Sequence, residues 1–162
     1  KVFKKQLNKN NRIYITSKNA DYRKIINESD LIEELKSKNF KVIDLTTLSI
    51  NQQIDIFSSS EIIVSATNSS LANIVFCNEG TRIFEITPQY KYNYENELKN
   101  RYSNICRQLN LKYYSMDGDP IEMKRQNKNA TEFIDMNVIN KSNYYKNLLV
   151  KTNIFKKFVE KI

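Results

Sequence analysis

The sequence predicts an α/β domain built on a doubly wound parallel sheet. Three observations carry this expectation. Short runs of β-branched and aromatic residues alternate with helical patterns from Arg12 to Met116, the order that right-handed crossovers turn into a parallel sheet. One run, Ile62-Ile63-Val64, is apolar without alternation, as a strand covered on both faces requires. Three of the runs end in polar residues, at the carboxyl edge where such sheets bind their ligands.

Arg12-Ile13-Tyr14-Ile15-Thr16 reads as the first strand. Leu31, Ile32 and Leu35 then fall at helical spacing between Ser29 and Lys38, with Ser29 or Asp30 placed to cap the start by accepting from free backbone N–H groups. Phe40–Leu45 is the second strand. Ser49-Ile50-Asn51-Gln52 fits a capping box and opens a helix with Ile50, Ile54 and Phe57 on one side. The third strand, Ile62–Val64, leads into a short segment, Ser70–Phe76. Arg82–Ile86 is the fourth, ended by Pro88. A longer helix fits Tyr94–Leu109, and Leu111–Met116 makes a fifth strand. The cluster Asp117-Gly118-Asp119-Pro120 reads as a turn. Beyond it Lys124–Asn129 is a polar linker, Glu132–Ile139 a short extended piece, and Lys141–Ile162 one or two amphipathic helices. Residues 1–120 are thus expected to form the sheet domain. Residues 121–162 supply a linker and helices that pack on it or on a partner.

Composition narrows the chemistry. The 162 residues include no His and no Trp, and only two glycines. A Ser-His-Asp triad, a His general base and His-containing zinc sites are excluded within this sequence. So are a Walker loop and the GxGxxG fingerprint, which need clustered glycines. Cys77 and Cys106 are too few for a disulfide scaffold or a four-ligand metal site, and read as small buried hydrophobes. A reduced, cytoplasmic setting is the expectation. No apolar run approaches the roughly 18 residues of a membrane span. The sequence begins at Lys1 rather than Met, and a piece of a longer protein is expected.

The polar strand ends are the candidate site. Thr16, Ser17, Lys18 and Asn19 follow the first strand, with Arg23 one turn later; Ser65, Thr67, Asn68, Ser69 and Ser70 follow the third; Glu85 and Thr87 lie on or after the fourth. A hydroxyl-rich turn facing Lys18 and Arg23 suits a phosphate or diphosphate. The same turn also suits a helix cap.

An ordered set of motifs goes further: Tyr14-Ile15-Thr16, Arg23 with Asn27-Glu28, Phe40-Lys41-Val42, Gln53-Ile54, the block Ile63–Phe76 ending Leu71-Ala72-Asn73-Ile74-Val75-Phe76, and Gly80–Ile86. In this order, from about Arg12 to Pro88, the chain resembles glycosyltransferase family 61, which includes capsular-polysaccharide enzymes and O-linked glycan transferases. The resemblance implies a Rossmann-like domain, the C-terminal half of a two-domain GT-B transferase. That half grips a nucleotide-sugar donor, and the N-terminal acceptor half would be missing. It also implies substrate-binding positions: Ser17, Lys18, Arg23, Asn27, Glu28, Thr67, Asn68, Ser69, Ser70, Asn73 and Glu85. The departures are local. Ser17 stands where the family has Arg, and Thr67-Asn68-Ser69-Ser70 replaces a His-Gly-Ala-small loop. Asn68 is expected to imitate the glycine in part through its tolerance of positive φ.

Structural roles compete at each position. Arg23 suits an ion pair, Asn27-Glu28 a helix start, and Asn73 a hydrogen-bonded loop anchor. Glu85 suits either a pair with Arg23 or Lys18, or acceptance from ribose hydroxyls. Asp117-Gly118-Asp119 spells the Asp-x-Asp of metal sites in a different transferase class, but its Asp/Gly/Pro setting favours a turn. The expected function is transfer of a sugar from a nucleotide-sugar to a polysaccharide or glycan acceptor, with no metal or other cofactor. The alternative is a catalytically impaired binding or regulatory module. The charge of +8 prompts a nucleic-acid reading, but the lysines gather at the two chain ends without a recognition signature. No nucleic-acid partner is expected. The charge suits anionic donors and peripheral contact with the inner face of a membrane.

Overall fold

The computed structural model describes residues 10–90, 96–121 and 143–161. Five strands run parallel: β1 (Asn11–Ile15), β2 (Lys41–Ile43), β3 (Ser60–Ala66), β4 (Arg82–Pro88) and β5 (Lys112–Ile121). A sixth, β6 (Asn147–Leu149), pairs antiparallel with β5. The order across the sheet is β2-β1-β3-β4-β5-β6. The chain leaves β1 for β2 on one side and returns to β3 on the other. The carboxyl ends of β1 and β3 therefore flank a topological switch point, with Ile15 opposite Ser65.

Helices cover both faces. On one, α1 (Glu28–Ser37) buries Leu31 and Leu35, and α4 (Thr152–Val159) buries Phe155, Phe158 and Val159, against Tyr14, Val64 and Phe84 of the strands. On the other, α2 (Ile50–Ser58), the 3-10 segment Ser69–Phe76 and α3 (Asn96–Gln108) enclose Ile13, Ile63 and Ile83 with Phe57, Leu71 and Tyr102. Burying each large apolar side chain contributes about 1.5–3 kcal/mol, so the two layers fix which strand residues face which helices. Among the described residues no helix is long and apolar enough to cross a membrane.

Several expectations change in detail. The first helix begins at Glu28, so Ser29 and Asp30 lie inside its first turn rather than capping it. The capping box at Ser49 and Gln52 forms as expected, but Ile50 is exposed while Phe57 is buried. The second strand stops at Ile43, because the Asp44 side chain accepts from the Thr46 N–H at 3.0 Å and winds Leu45–Thr47 into a 3-10 turn. The largest correction is Asp117-Gly118-Asp119-Pro120, which continues β5 instead of turning. Pro88 lies opposite Gly118, and Asp119 opposite Leu149. Gly118 serves close approach there: a Cβ on it would stand 3.1 Å from Leu148 Cβ. Of the C-terminal stretch expected to be helical, Asn143–Tyr145 is a 3-10 turn, Asn147–Leu149 a strand, and Thr152–Val159 a helix. The expected linker 124–129 and extended piece 132–139 lie outside the described residues.

Candidate functional site

The loop between β1 and α1 is organised by a carboxylate. Glu28 opens α1, where the helix end favours negative charge. Its Oε1 accepts from Tyr14 Oη at 2.8 Å and from the backbone N and Oγ of Ser17 at 2.7 and 3.0 Å, and its Oε2 accepts from Thr16 Oγ1 at 3.0 Å. Burial, then the Glu28 charge, raises the Tyr14 phenol well above its ordinary pKa. Ser17 is itself buried, its Oγ accepting from Ile25 N at 3.0 Å. Asn27 grips the far end of the chain. Its amide donates to Val150 O at 2.8 Å and its carbonyl accepts from Val150 N at 3.1 Å. The helix-start reading thus describes Glu28, and Asn27 acts as a clamp.

At the end of β3 the turn caps itself. Asn68 Oδ1 accepts from Ser70 N at 2.8 Å, and its Nδ2 donates to Ala66 O at 3.0 Å. Its φ of −159° is extended backbone, so the expected glycine mimicry through positive φ does not occur. Thr67 is fully buried, and its Oγ1 has no hydrogen-bond partner. Ser69 is exposed. Asn73 points its amide away from this turn, donating to Gln53 Oε1 at 2.8 Å; Gln53 in turn donates to the carbonyls of Leu45 and Leu48. The anchor reading describes Asn73.

Arg23 joins the two loops across the switch point. It is 5% exposed, adopts the left-handed φ of 59°, and donates from Nε to Thr67 O at 2.6 Å. Its guanidinium lies 4.3 Å from the centre of the Tyr22 ring, a cation–π contact. A left-handed non-glycine residue costs roughly 1–2 kcal/mol, which the burial and bonding of Arg23 offset. Lys18, expected beside it, is exposed and bears instead on Asp44 at the end of β2. Hydrogen bonds from Thr46, followed by the weaker Lys18 and Asn19 contributions, hold the Asp44 carboxyl below its ordinary value.

Glu85 is the buried carboxyl of the central strands, 1% exposed and level with Ser65 and Ser115. It accepts from Tyr113 Oη at 2.7 Å. Burial pushes it up to about 7, opposed by the Tyr113 hydrogen bond and by the charges of Arg101 and then Arg23. Its expected association with Arg23 is present as a longer-range charge, with Arg101 the stronger cation; Lys18 does not act on it. Burial, followed by the Glu85 charge, holds Cys106 up to about 12 and raises Tyr113. Arg101 lies 4.4 Å over the Tyr102 ring, and Tyr102 Oη donates to Asn68 O at 2.5 Å. The Arg101 Nε is buried with no hydrogen-bond partner. Tyr113 also lines a cleft of about 180 Å³ with Thr87, Lys99, Ser103, Ser115 and Asp117. Among the described residues no group of three or more His, Cys, Asp or Glu side chains is placed to hold a metal ion.

Residues 1–84 match the family model Glycosyltransferase 61. The chain belongs to glycosyltransferase family 61. An EGF domain-specific O-linked N-acetylglucosamine transferase of Gallus gallus is 30% identical over 91 residues, covering 53% of this chain and 16% of that protein. The chain therefore spans about a sixth of that relative's length. Among solved structures, the flavodoxin-like domain of a Synechococcus sp. protein aligns with a TM-score of 0.46 at 13% identity, over 94% of this chain and 100% of that one.

The matched span of this family 61 chain holds β1 to β3 and the Arg23–Thr67 bond, and ends one residue before Glu85. The structure joins Ser17 to Glu28 in one internal network, ties Asn27 separately to Val150, and links Arg23 to Thr67, whose neighbour Asn68 accepts from Tyr102. Lys18, Ser69 and Asn73 stand apart. Sequence reasoning missed Arg101, Tyr102 and Tyr113. The parallel register carried a signal for Tyr113, since it lies opposite Ile83 and so shares the sheet face of Glu85.

Proposed function

We propose that this chain is the donor-binding part of a glycosyltransferase, holding a nucleotide-sugar while its sugar passes to a hydroxyl of a polysaccharide or glycan. The observation that carries the reading is the buried Arg23, which bridges the β1 and β3 loops at the switch point of a family 61 chain. In this reading residues 1–120, completed by the C-terminal strand and helix, form the donor half of a GT-B architecture. The acceptor half and the base that takes the acceptor proton belong to a further domain. Arg23 stabilises the diphosphate as the sugar–oxygen bond breaks, by placing fixed positive charge where negative charge accumulates. The basic surface draws in the anionic donor and contacts anionic lipid at the inner face of a membrane.

Chemical-shift mapping with uridine and guanosine diphosphates tests this. Shifts should gather on Ser17, Arg23, Thr67 and Asn68. Arg23→Ala should weaken binding about tenfold or more, the scale of a charge-assisted contact. Lys112→Ala, an exposed residue at the opposite edge of the sheet, should leave it unchanged. Equal losses, or shifts confined to Thr152–Val159, would place the ligand elsewhere. Sugar transfer by the 162-residue chain alone would overturn the two-domain requirement.

A second reading is a binding module without turnover. It is favoured by the engagement of Asn27, Glu28 and Asn73 in internal hydrogen bonds. Nucleotide binding that persists beside inactivity of the full-length protein would support it.

A further inference from the structure

The residues on either side of Arg23 are held by a strand from the far end of the chain. Lys24, which follows it, has both backbone polar groups bonded to β6. Its N–H donates to Asn147 Oδ1 at 3.1 Å, and its O accepts from Leu148 N at 2.9 Å. Tyr22, which precedes it, packs edge-on against Tyr145 with ring centres 5.5 Å apart. β6 is fixed in turn along its other edge by pairing with β5. The contact made by the Asn147 side chain falls on the peptide that leaves Arg23.

That peptide matters because Arg23 is strained. Its φ of 59° lies in the left-handed region, which residues with a side chain rarely adopt. Strained backbone persists only where its surroundings over-determine it. The peptide bond is planar, so rotation about the Cα–C bond of Arg23 decides where the Lys24 N–H points. An acceptor held at that N–H therefore holds the rotation. Asn147 supplies this acceptor, while the bond from Arg23 Nε to Thr67 O at 2.6 Å holds the side chain from the opposite direction. Lys24 and Asn147 are both half-buried. Without the Asn147 oxygen the Lys24 N–H must turn to find water, and the backbone of Arg23 turns with it.

We propose that Asn147 is a positioning residue for Arg23: its side-chain oxygen selects the left-handed backbone that carries the guanidinium to the β3 turn. This rests on the reading of Arg23 as a donor ligand, and it adds the residue that keeps Arg23 in place. Asn147 acts through the peptide between Arg23 and Lys24 and not by contact with the donor. The C-terminal strand thereby enters the function of the β1–α1 loop, although 123 positions separate Lys24 from Asn147.

Two protons of the 162-residue chain report on this by hydrogen exchange in nitrogen-15 NMR, the Lys24 amide and the Arg23 Nε–H. Asn147→Ala should speed the exchange of both by about threefold to tenfold, the scale of one neutral hydrogen bond. Asn147→Asp keeps an oxygen at the same reach and should restore both rates. Asn78→Ala removes a bond to Ser58 O at the opposite edge of the sheet. It controls for lost stability alone and should leave both rates unchanged. Uridine diphosphate should bind Asn147→Ala about threefold to tenfold more weakly than wild type. Should Asn147→Ala fail to fold, Asn147→Ser, whose hydroxyl is too short to reach Lys24 N, carries the test. An Arg23 Nε–H rate unmoved by loss of the Asn147 amide, no recovery in Asn147→Asp, or equal acceleration in Asn78→Ala would overturn the proposal. So would diphosphate binding at Arg23 with undiminished affinity in Asn147→Ala, which leaves the donor reading standing. Exchange rates that respond as expected, in a chain where no nucleoside diphosphate shifts Arg23, would uphold Asn147 as the residue that sets Arg23 and sink the donor reading instead.

Discussion

Glu85 shows how one side chain sets a pH profile. A carboxyl whose folded value is about 7 lies above its unfolded value near 4.5, so the native state holds the proton more tightly. The group is neutral in both states below about pH 4.5, and the folded protein then loses stability as pH rises towards and through 7, by on the order of 3 kcal/mol. Glu85→Gln should match wild type in urea denaturation near pH 4 and exceed it near pH 8, with the gap opening between; a constant gap would show that burial does not govern this group. Arg23 gives a second residue-scale test, because its left-handed backbone suits glycine. Arg23→Gly should be more stable than Arg23→Ala by about 1 kcal/mol in the same assay, although both lose the bond to Thr67.

Among the elements, β5 and β6 diverge most from what the residue pattern suggests. Gly118→Ala would set a methyl 3.1 Å from Leu148 Cβ. Leu148 cannot retreat easily, since its N donates to Lys24 O at 2.9 Å and its O accepts from Ile26 N at 2.8 Å. We expect a loss of about 1–3 kcal/mol in thermal unfolding, with faster exchange of the Leu148 amide. A wild-type melting temperature would mean that β6 shifts freely. The same pair explains what was legible beforehand. The parallel strands and their helices were readable because apolar runs and 3.6-residue patterns are local signals. Asp117-Gly118-Asp119-Pro120 looked like a turn because its residues favour turns locally. The partner that keeps it extended is a strand about 30 positions away, which no local pattern reports. At the candidate site, the family pattern singles out Arg23, and the structure shows it buried and bonded to Thr67 O. Its left-handed backbone was not legible, because the bond to Thr67 that helps hold it is non-local. Arg101 carried no local sign, since an arginine on an amphipathic helix reads as a solvated face.

For the whole molecule, the sheet depends on its last described elements. Leu148, Val150, Phe155, Phe158 and Val159 belong to the same buried cluster as Tyr14, Val64 and Phe84. A chain ended after residue 121 would bare that face of the sheet. It should bind a hydrophobic dye and lose the cooperative unfolding of the full chain; a sharp, dye-free transition would show that the remaining layers suffice.

The clamp between Asn27 and Val150, with Leu148 bridging to Ile25, joins residues 123 positions apart. During synthesis, the loop bearing Arg23 leaves the ribosome early and waits through translation of nearly all of the sheet before that support emerges. The β1–α1 loop is therefore a late product of biosynthesis, and a nascent chain arrested before residue 147 has strands and helices to fold but lacks the strand that fastens this loop.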